Sequence, residues 1–285
     1  MERFSPNEVI MNKSLLTLAL LAAGAEAGQL PLISNTATHC HPGTEACATL
    51  EVVSINSDDP ALNRLADELL GAKEHRFDRA GLEQWLGEDG MMPDKPEGKI
   101  PDDEKNFYTY SYDYLISQTG ESKHYRLLNR GENVFTGGAH GMYGNSYYLV
   151  SKSPEPRVIP LEEILLPGQR PTLDKLQEAA WKRYLKEGPK GSEGPGFSDE
   201  EIAEHLKSFP FTATDNWRLD SKGLVFLFQP YEIAPWAMGM PEILVPAAEL
   251  KDVVKPEILA EMASWVQSNP DEGAKPEERP QWRGQ

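Results

Sequence analysis

Residues 136–141, TGGAHG, have the residue types best suited to chemistry in this sequence. Backbone N–H groups of such a glycine-rich segment can cradle an anion, and His140 can serve there as a general base or a ligand. The structural alternative is that Gly137, Gly138 and Gly141 supply positive φ angles or a close backbone approach, with His140 half-buried and hydrogen-bonded. A phosphate-binding loop is excluded, because no lysine and serine follow the glycines.

The second candidate is residues 230–241, PYEIAPWAMGMP, which separate two apolar segments. Its three prolines fix φ and lower the entropy lost on binding. Tyr231 and Trp236 are residue types favoured at binding hot spots, and Glu232 is the only charged residue of the segment. The alternative is a buried connection whose rings complete the core. The residues predicted to contact a ligand are Pro230, Tyr231, Glu232, Trp236 and His140.

Few residues in the chain could support catalysis. The remaining histidines are scattered, and the sequence has neither an H-x-x-x-H pair nor a G-x-S-x-G nucleophile motif. We therefore predict no metal site and no cofactor. The one catalytic alternative pairs His140 with a carboxylate such as Glu232 in the hydrolysis of a cell-wall polymer.

The composition restricts the kind of partner. The chain of 285 residues has 26% charged residues, 39% apolar residues and a formal net charge of -17, as expected of a globular protein. This acidity argues against nucleic acid and against an anionic membrane surface. It is compatible with a cationic protein partner, since opposite charge speeds encounter, although acidity also serves solubility alone.

The N-terminus resembles a signal peptide. A short basic start precedes the apolar run LLTLALLAA, which is too short to span a bilayer, and the small-x-small sequence AEA ends at Ala27. We therefore predict a signal peptide over residues 1–27, with residues 1–10 interpreted as an upstream or misassigned start. The expected location is periplasmic or secreted. No later segment is apolar enough to cross a membrane.

The predicted export bears on the oxidation state of the two cysteines. Cys40 and Cys47 flank the turn-forming HPGTEA, and in an oxidising compartment they are expected to form a local disulfide. The alternative is a metal site, because His39 and His41 lie beside Cys40.

The candidate sites require a scaffold of strands and helices. Strands are predicted over 48–55, 107–117, 123–129, 145–151, 216–219, 224–229 and 242–245, with a turn over 129–132 and a hairpin turn over 221–223. Helices are predicted from Pro60, with Asp59 as its cap, over 171–187, over 198–207 with a capping box at residues 198–201, and from Pro256 through Val266. This order indicates an α+β fold with an antiparallel sheet and packed helices. The predicted division is a lead over 28–47, an N-terminal α+β part over 48–130, a C-terminal part over 131–262, and the end of the last helix with a disordered tail over 263–285.

Five segments give the sequence a resemblance to a known family. They are the Tyr-rich 107–115, VFTGGAHG at 134–141, IPLEEIL at 159–165, PYEIAPWAMG at 230–239 and PAAEL at 246–250. With them the chain resembles the RsiV-type extracellular domain family, a domain of unknown function found in lysozyme-sensing anti-sigma factors and beside some peptidoglycan deacetylases.

That resemblance implies an α+β fold with an RsiV-like C-terminal domain and a non-catalytic binding role. The partner it implies is a cell-wall enzyme such as lysozyme, or else a peptidoglycan fragment. Pro230, Tyr231 and Glu232 would then lie in or near the lysozyme cleft. The sequence departs from the family in two respects: we expect no membrane span with a sigma-binding segment, and no appended deacetylase domain.

Overall fold

The computed structural model describes residues 30–88, 90–188, 196–268 and 277–278. The predicted signal peptide and most of the predicted C-terminal tail lie outside these residues.

The described chain forms a seven-stranded sheet and a three-stranded sheet with helices packed around them. The large sheet consists of β1 (Leu32–Cys40), β2 (Cys47–Ile55), β3 (Thr109–Glu121), β4 (Tyr125–Phe135), β5 (Met142–Ser151), β9 (Val266–Gln267) and β10 (Glu277–Glu278). The small sheet consists of β6 (Trp217–Asp220), β7 (Gly223–Leu227) and β8 (Glu242–Pro246). The helices are α1 (Pro60–Leu69), α2 (Arg79–Leu86), α3 (Leu161–Ile164), α4 (Arg170–Glu187), α5 (Asp199–Ser208) and α6 (Pro256–Ala263).

The strand order of the large sheet is β10-β1-β2-β3-β4-β5, and β9 also pairs with β3. The antiparallel meander predicted between residues 107 and 151 is confirmed as β3, β4 and β5. The parallel pairing of β2 with β3 was not predicted. It arises because the chain leaves β2, forms α1 and α2, and returns to run beside β2 in the same direction. The α+β fold class is confirmed.

Local signals placed several element ends correctly. The Asp59 carboxylate accepts hydrogen bonds from the N–H groups of Ala61 at 2.9 Å and Leu62 at 3.2 Å, which caps α1. Ser198 and Glu201 form the predicted capping box at the start of α5. The predicted disulfide is confirmed: Cys40 and Cys47 pair across β1 and β2 and are bonded to each other, which decides against the metal alternative for these two residues.

Two expectations were wrong. The predicted turn over 129–132 lies within β4, because these residues pair with β3 on one side and β5 on the other. The last helix ends at Ala263, and Val266 instead belongs to β9 beside Glu121. The predicted division of the chain into parts stays a prediction; strand β1 lies in the predicted lead, and β4 runs across residues 130 and 131.

The large sheet separates two cores. Leu128 and Val150 pack with α1 and α2 on one face, whereas Leu127 and Leu149 pack on the other face with the small sheet and the C-terminal helices. The alternation of side chains along a strand explains why neighbouring residues belong to different cores. The buried residues of β4 and β5 lie at the end away from the hairpin loop that joins these strands, and the residues next to that loop are only partly buried or exposed.

Candidate functional site

The two candidate segments meet in space. Residues 136–141 form the hairpin loop between β4 and β5, and residues 228–241 connect β7 with β8. The ring of His140 stacks on the indole of Trp236, with centroids 4.3 Å apart and an interplanar angle of 23°. Tyr143 meets the same indole edge-on at 6.0 Å. Such ring contacts stabilise the contact between the loops by about 0.5–1.5 kcal/mol.

The glycines of the hairpin loop serve different geometric needs. Gly137 and Gly138 have φ angles of +84° and +94°, a region that favours glycine. Gly137 also lies against the backbone of Phe107, where an added Cβ would be 3.0 Å from the Phe107 Cα. At Gly141 an added Cβ would be 2.9 Å from the carbonyl oxygen of Val134. The loop is therefore shaped by backbone proximity, and His140 lies exposed at its end.

The connection between β7 and β8 is partly core and partly surface. Ile233 and Ala234 are buried in the C-terminal core, and Pro230 is buried as well. Tyr231 is 53% exposed and has a φ of +71°, which makes it the one non-glycine residue with positive φ in the described part of the chain. Glu232 is also exposed. The buried-connection alternative thus describes Ile233 and Ala234, whereas Tyr231 and Glu232 are exposed as a binding segment requires.

Trp236 lies between these extremes. It is half-buried, it begins a short 3-10 helix at Trp236–Met238, and its indole Nε1 is buried without a hydrogen-bond partner among the described residues. Its ring therefore stacks against His140, while Tyr231 is the aromatic side chain exposed to solvent.

Two amide side chains fix the base of the loop to the large sheet. Gln229 donates from Nε2 to the carbonyl of Asn145 at 2.5 Å and accepts from the Asn145 N–H at 3.2 Å. Asn216 donates to the same carbonyl at 2.8 Å and accepts from the N–H of Tyr147 at 2.8 Å. These amides occupy the outer edge of β5 in the manner of a neighbouring strand. Sequence reasoning missed Gln229 and Asn216, because no local pattern marks such a pairing.

Glu232 is held by its own loop. Its carboxylate accepts a hydrogen bond from the N–H of Gln229 at 2.7 Å. It borders a cavity of about 320 Å³ whose other walls include Arg170, Thr214 and Asp215. Burial lowers the pKa of Arg170, but hydrogen bonds to the carboxylates of Asp174 and Asp215 outweigh this and raise it above the ordinary value. Arg170 therefore lines this cavity as a permanently charged group whose guanidinium is already paired with carboxylates.

The arrangement does not unite the proposed catalytic pair. His140 contacts the carbonyl of Gly141 at 3.0 Å and the Trp236 ring, whereas Glu232 contacts Gln229. No hydrogen bond or ion pair links His140 to Glu232. Within the described ranges, no group of three or more His, Cys, Asp or Glu residues is arranged to hold a metal ion. No described helix combines the length and the hydropathy that crossing a membrane requires.

Residues 162–248 match the family described as "Protein of unknown function (DUF3298)". The matched segment runs from α3 past β8, so it includes the loop with Tyr231 and Trp236 but not the hairpin loop with His140. No curated protein sequence matches the chain significantly.

Two solved structures have the same overall arrangement. A DUF3298 family protein from Pseudomonas aeruginosa PAO1 matches with a TM-score of 0.58 and 21% identity, over 80% of this chain and 96% of that one. A member of the same family from Bacteroides fragilis NCTC 9343 matches with a TM-score of 0.52 and 19% identity, over 83% and 96%. None of these matches names the RsiV type, so that finer resemblance stays a prediction. The chain thus shares the fold of solved DUF3298 proteins, and its residues 162–248 match that family's sequence pattern.

Proposed function

We propose that this chain is an exported binding protein that recognises a cationic cell-wall enzyme of the lysozyme type. The recognising part is the two-loop surface, defined as the exposed residues 138–140 and 231–232. The observation that carries the proposal is Tyr231, a large ring held in solvent by a backbone conformation that costs about 1–2 kcal/mol for a residue with a side chain. Strained residues of this kind cluster at binding and active sites.

The loop around Tyr231 is pre-organised for binding. Ile233 and Ala234 are anchored in the core on one side of the ring, and the buried Pro230 precedes it on the other. A partner that contacts Tyr231 therefore does not need to order the loop, and this lowers the entropic cost of association. The stack of His140 on Trp236 fixes the neighbouring hairpin loop in the same way.

Charge supports the choice of partner. The chain has a net charge of -17, and Glu232 is exposed next to Tyr231. Lysozymes are cationic, so the two proteins attract each other over long distances and associate faster at low salt. The RsiV-type resemblance points to the same partner. Export is part of the proposal, supported by the signal-like N-terminus and by a disulfide typical of oxidising compartments.

Calorimetry with hen egg-white lysozyme tests the proposal. We expect a Kd below about 100 µM, roughly -5.5 kcal/mol. Tyr231→Ala should weaken binding at least tenfold, about 1.4 kcal/mol, because it removes a central ring. Leu115→Ala is the matched control: Leu115 is another exposed apolar residue, 39% accessible, in strand β3, and its loss should change the Kd by less than about twofold.

Two outcomes would contradict the proposal. One is no heat of binding with lysozyme at millimolar concentration, and the other is an equal loss of affinity in both variants. A titration with soluble muropeptides runs in parallel. Binding of muropeptides without binding of lysozyme would assign the surface to cell-wall fragments instead. The hydrolase alternative is not carried forward, because no observed contact favours a pairing of His140 with Glu232.

A further inference from the structure

Strand β8 has one edge that no other described strand pairs with. It is the last strand in the order β6-β7-β8, and it pairs antiparallel with β7 from Glu242 to Pro246. Two flanking hydrogen bonds fix which residues bond to the neighbouring strand: Phe228 N–H to the Pro241 carbonyl at 3.0 Å, and Ala247 N–H to the Lys222 carbonyl at 2.8 Å. Since bonding residues alternate along an antiparallel pair, Ile243 and Val245 bond to β7.

The backbone groups of Glu242 and Leu244 consequently point away from the small sheet. No hydrogen bond to the N–H or carbonyl of either residue is formed by the described part of the chain. Two donors and two acceptors are therefore available along one strand edge, and such an edge readily pairs with another extended segment.

A groove of about 650 Å³ lies along this edge. One wall is a single face of α4, formed by Ala180, Arg183, Tyr184 and Glu187, which follow the i, i+3, i+4, i+7 spacing of neighbouring helix positions. The β8 residues Glu242, Ile243, Leu244 and Pro246 line the groove as well, together with Tyr147, Leu227 and Met240. A volume of this size falls within the range of about 300–1,000 Å³ typical of ligand sites.

We propose that this groove binds an extended segment of a partner protein, which adds to the small sheet as a strand beside β8. The segment would exchange backbone hydrogen bonds with Glu242 and Leu244. Alternate side chains would point into the groove between β8 and α4, where apolar residues fit against Leu227 and Met240. Main-chain bonds then provide affinity and the groove provides selectivity.

The charges in the groove favour a basic segment. The Glu242 carboxylate already accepts from the Tyr147 hydroxyl at 2.6 Å and from Arg218 at 3.3 Å. Burial and this carboxylate raise the pKa of Tyr147, so its hydroxyl keeps the proton that it donates. Arg183 lies 3.4 Å from the carboxylate of Glu249. Glu187 is exposed and has no ion-pair partner in the described residues, so a lysine or arginine of the segment would meet a free carboxylate.

The prolines at either end limit the length of the paired segment. Pro241 precedes β8 and Pro246 ends it, and neither has an N–H to donate. Pairing is therefore confined to about three to five residues of the partner, at roughly 3.3 Å per residue. The groove does not include residues of the two-loop surface, so this binding is independent of the function proposed above.

The test uses the capped hexapeptide acetyl-Lys-Val-Lys-Val-Lys-Val-amide as the probe. In ¹H–¹⁵N spectra, about 1 mM peptide should shift the amide signals of Glu242 and Leu244, because both donors gain an acceptor. N-methylation of the peptide at alternate amides gives two isomers. One should lose at least about tenfold in affinity and the other less than about twofold, since only every second amide of a strand faces its neighbour.

Two protein variants complete the test. Leu244→Pro removes one outward N–H without removing a bond to β7, and it should weaken binding of the peptide at least about tenfold. If this variant does not fold, Glu187→Lys takes its place in the test. It should weaken binding of the basic peptide and strengthen binding of a matching Glu-Val peptide. Glu155→Lys makes the same charge change in an exposed turn after β5 and should do neither.

The lysozyme titration distinguishes this site from the two-loop surface. Tyr231→Ala should leave the affinity for the hexapeptide unchanged, and Leu244→Pro should leave the affinity for lysozyme unchanged. The proposal is overturned if the basic peptide does not move the Glu242 and Leu244 amides, or if the Glu-Val peptide binds the unmodified protein more tightly. It is also overturned if the two N-methyl isomers bind equally well, because strand pairing requires them to differ.

Discussion

Replacing Glu261 with glutamine tests how helix α6 is joined to the large sheet. Glu261 is 6% exposed, and its carboxylate lies against the turn between β3 and β4. One oxygen accepts from the Ser122 hydroxyl at 2.5 Å and from the His124 N–H at 3.1 Å, while the other contacts His124 Nδ1 at 2.5 Å. A single buried charge therefore holds two elements that are far apart in sequence.

The expected magnitude follows from these three contacts. A hydrogen bond to a charged group contributes about 1.5–3 kcal/mol, whereas a neutral one contributes about 0.5–1.5. Glutamine has nearly the same shape, so in Glu261→Gln its amide oxygen can still accept from Ser122 and the His124 N–H while its NH2 group faces His124 Nδ1, and each contact is weaker by about 1 kcal/mol. His124 is 60% exposed, and solvent weakens its share. We therefore expect a loss of about 2 kcal/mol in the free energy of unfolding at pH 7.

The loss should depend on pH with a defined sign. Burial raises the pKa of Glu261, but hydrogen bonds from Ser122 and His124 outweigh it and hold the pKa below its ordinary value of 4.5. A carboxyl group with a lowered pKa in the folded state stabilises the protein above its unfolded-state value, and this stabilisation disappears as the pH falls through the folded-state value. The difference in the free energy of unfolding between the native chain and Glu261→Gln should therefore shrink below about pH 4.5.

Urea unfolding from pH 3 to pH 7 measures this difference. Glu257→Gln is the control, because Glu257 lies one turn earlier on the same helix and is exposed, so it should change the stability by less than about 0.5 kcal/mol at every pH. The reasoning is refuted if Glu261→Gln destabilises equally at pH 3 and pH 7, or if both variants behave alike.

Two further predictions concern the loops of the candidate site. Gly138→Ala should lower the free energy of unfolding by about 1 kcal/mol, because of its φ of +94° alone. Gly137→Ala should lower it by at least about 1 kcal/mol more, since its Cβ would also meet Phe107. Equal shifts in Tm for the two variants would contradict this difference. Tyr231→Gly should be more stable than Tyr231→Ala by up to about 1.5 kcal/mol, because both variants lose the ring but only glycine relieves the strain at a φ of +71°. If chemical denaturation shows Tyr231→Ala to be the more stable variant, the position is unstrained.

Elements with local signals could be predicted from the residues alone. Asp59 with Pro60 marked the start of α1, Ser198 with Glu201 marked the start of α5, and the turn at residues 221–223 marked the small hairpin. Each of these signals acts within three or four residues, through hydrogen bonds or turn geometry that neighbouring residues supply. The sequence likewise singled out both loops of the candidate site as unusual.

The conformation and exposure of those loops depend instead on long-range contacts. The contact of His140 with Trp236, the burial of Ile233 beside the exposed Tyr231, and the bonds of Gln229 to β5 all join segments distant in the chain or depend on what packs against them.

The same holds for the strands that sequence reasoning misjudged. Residues 129–132 have the composition of a turn, yet they extend as β4 because β3 and β5 flank them on both sides. Residues 266–267 end a helical pattern, yet they pair with β3. Backbone pairing and burial stabilise a segment through partners that its own residues do not specify, and so tertiary contacts override local propensity.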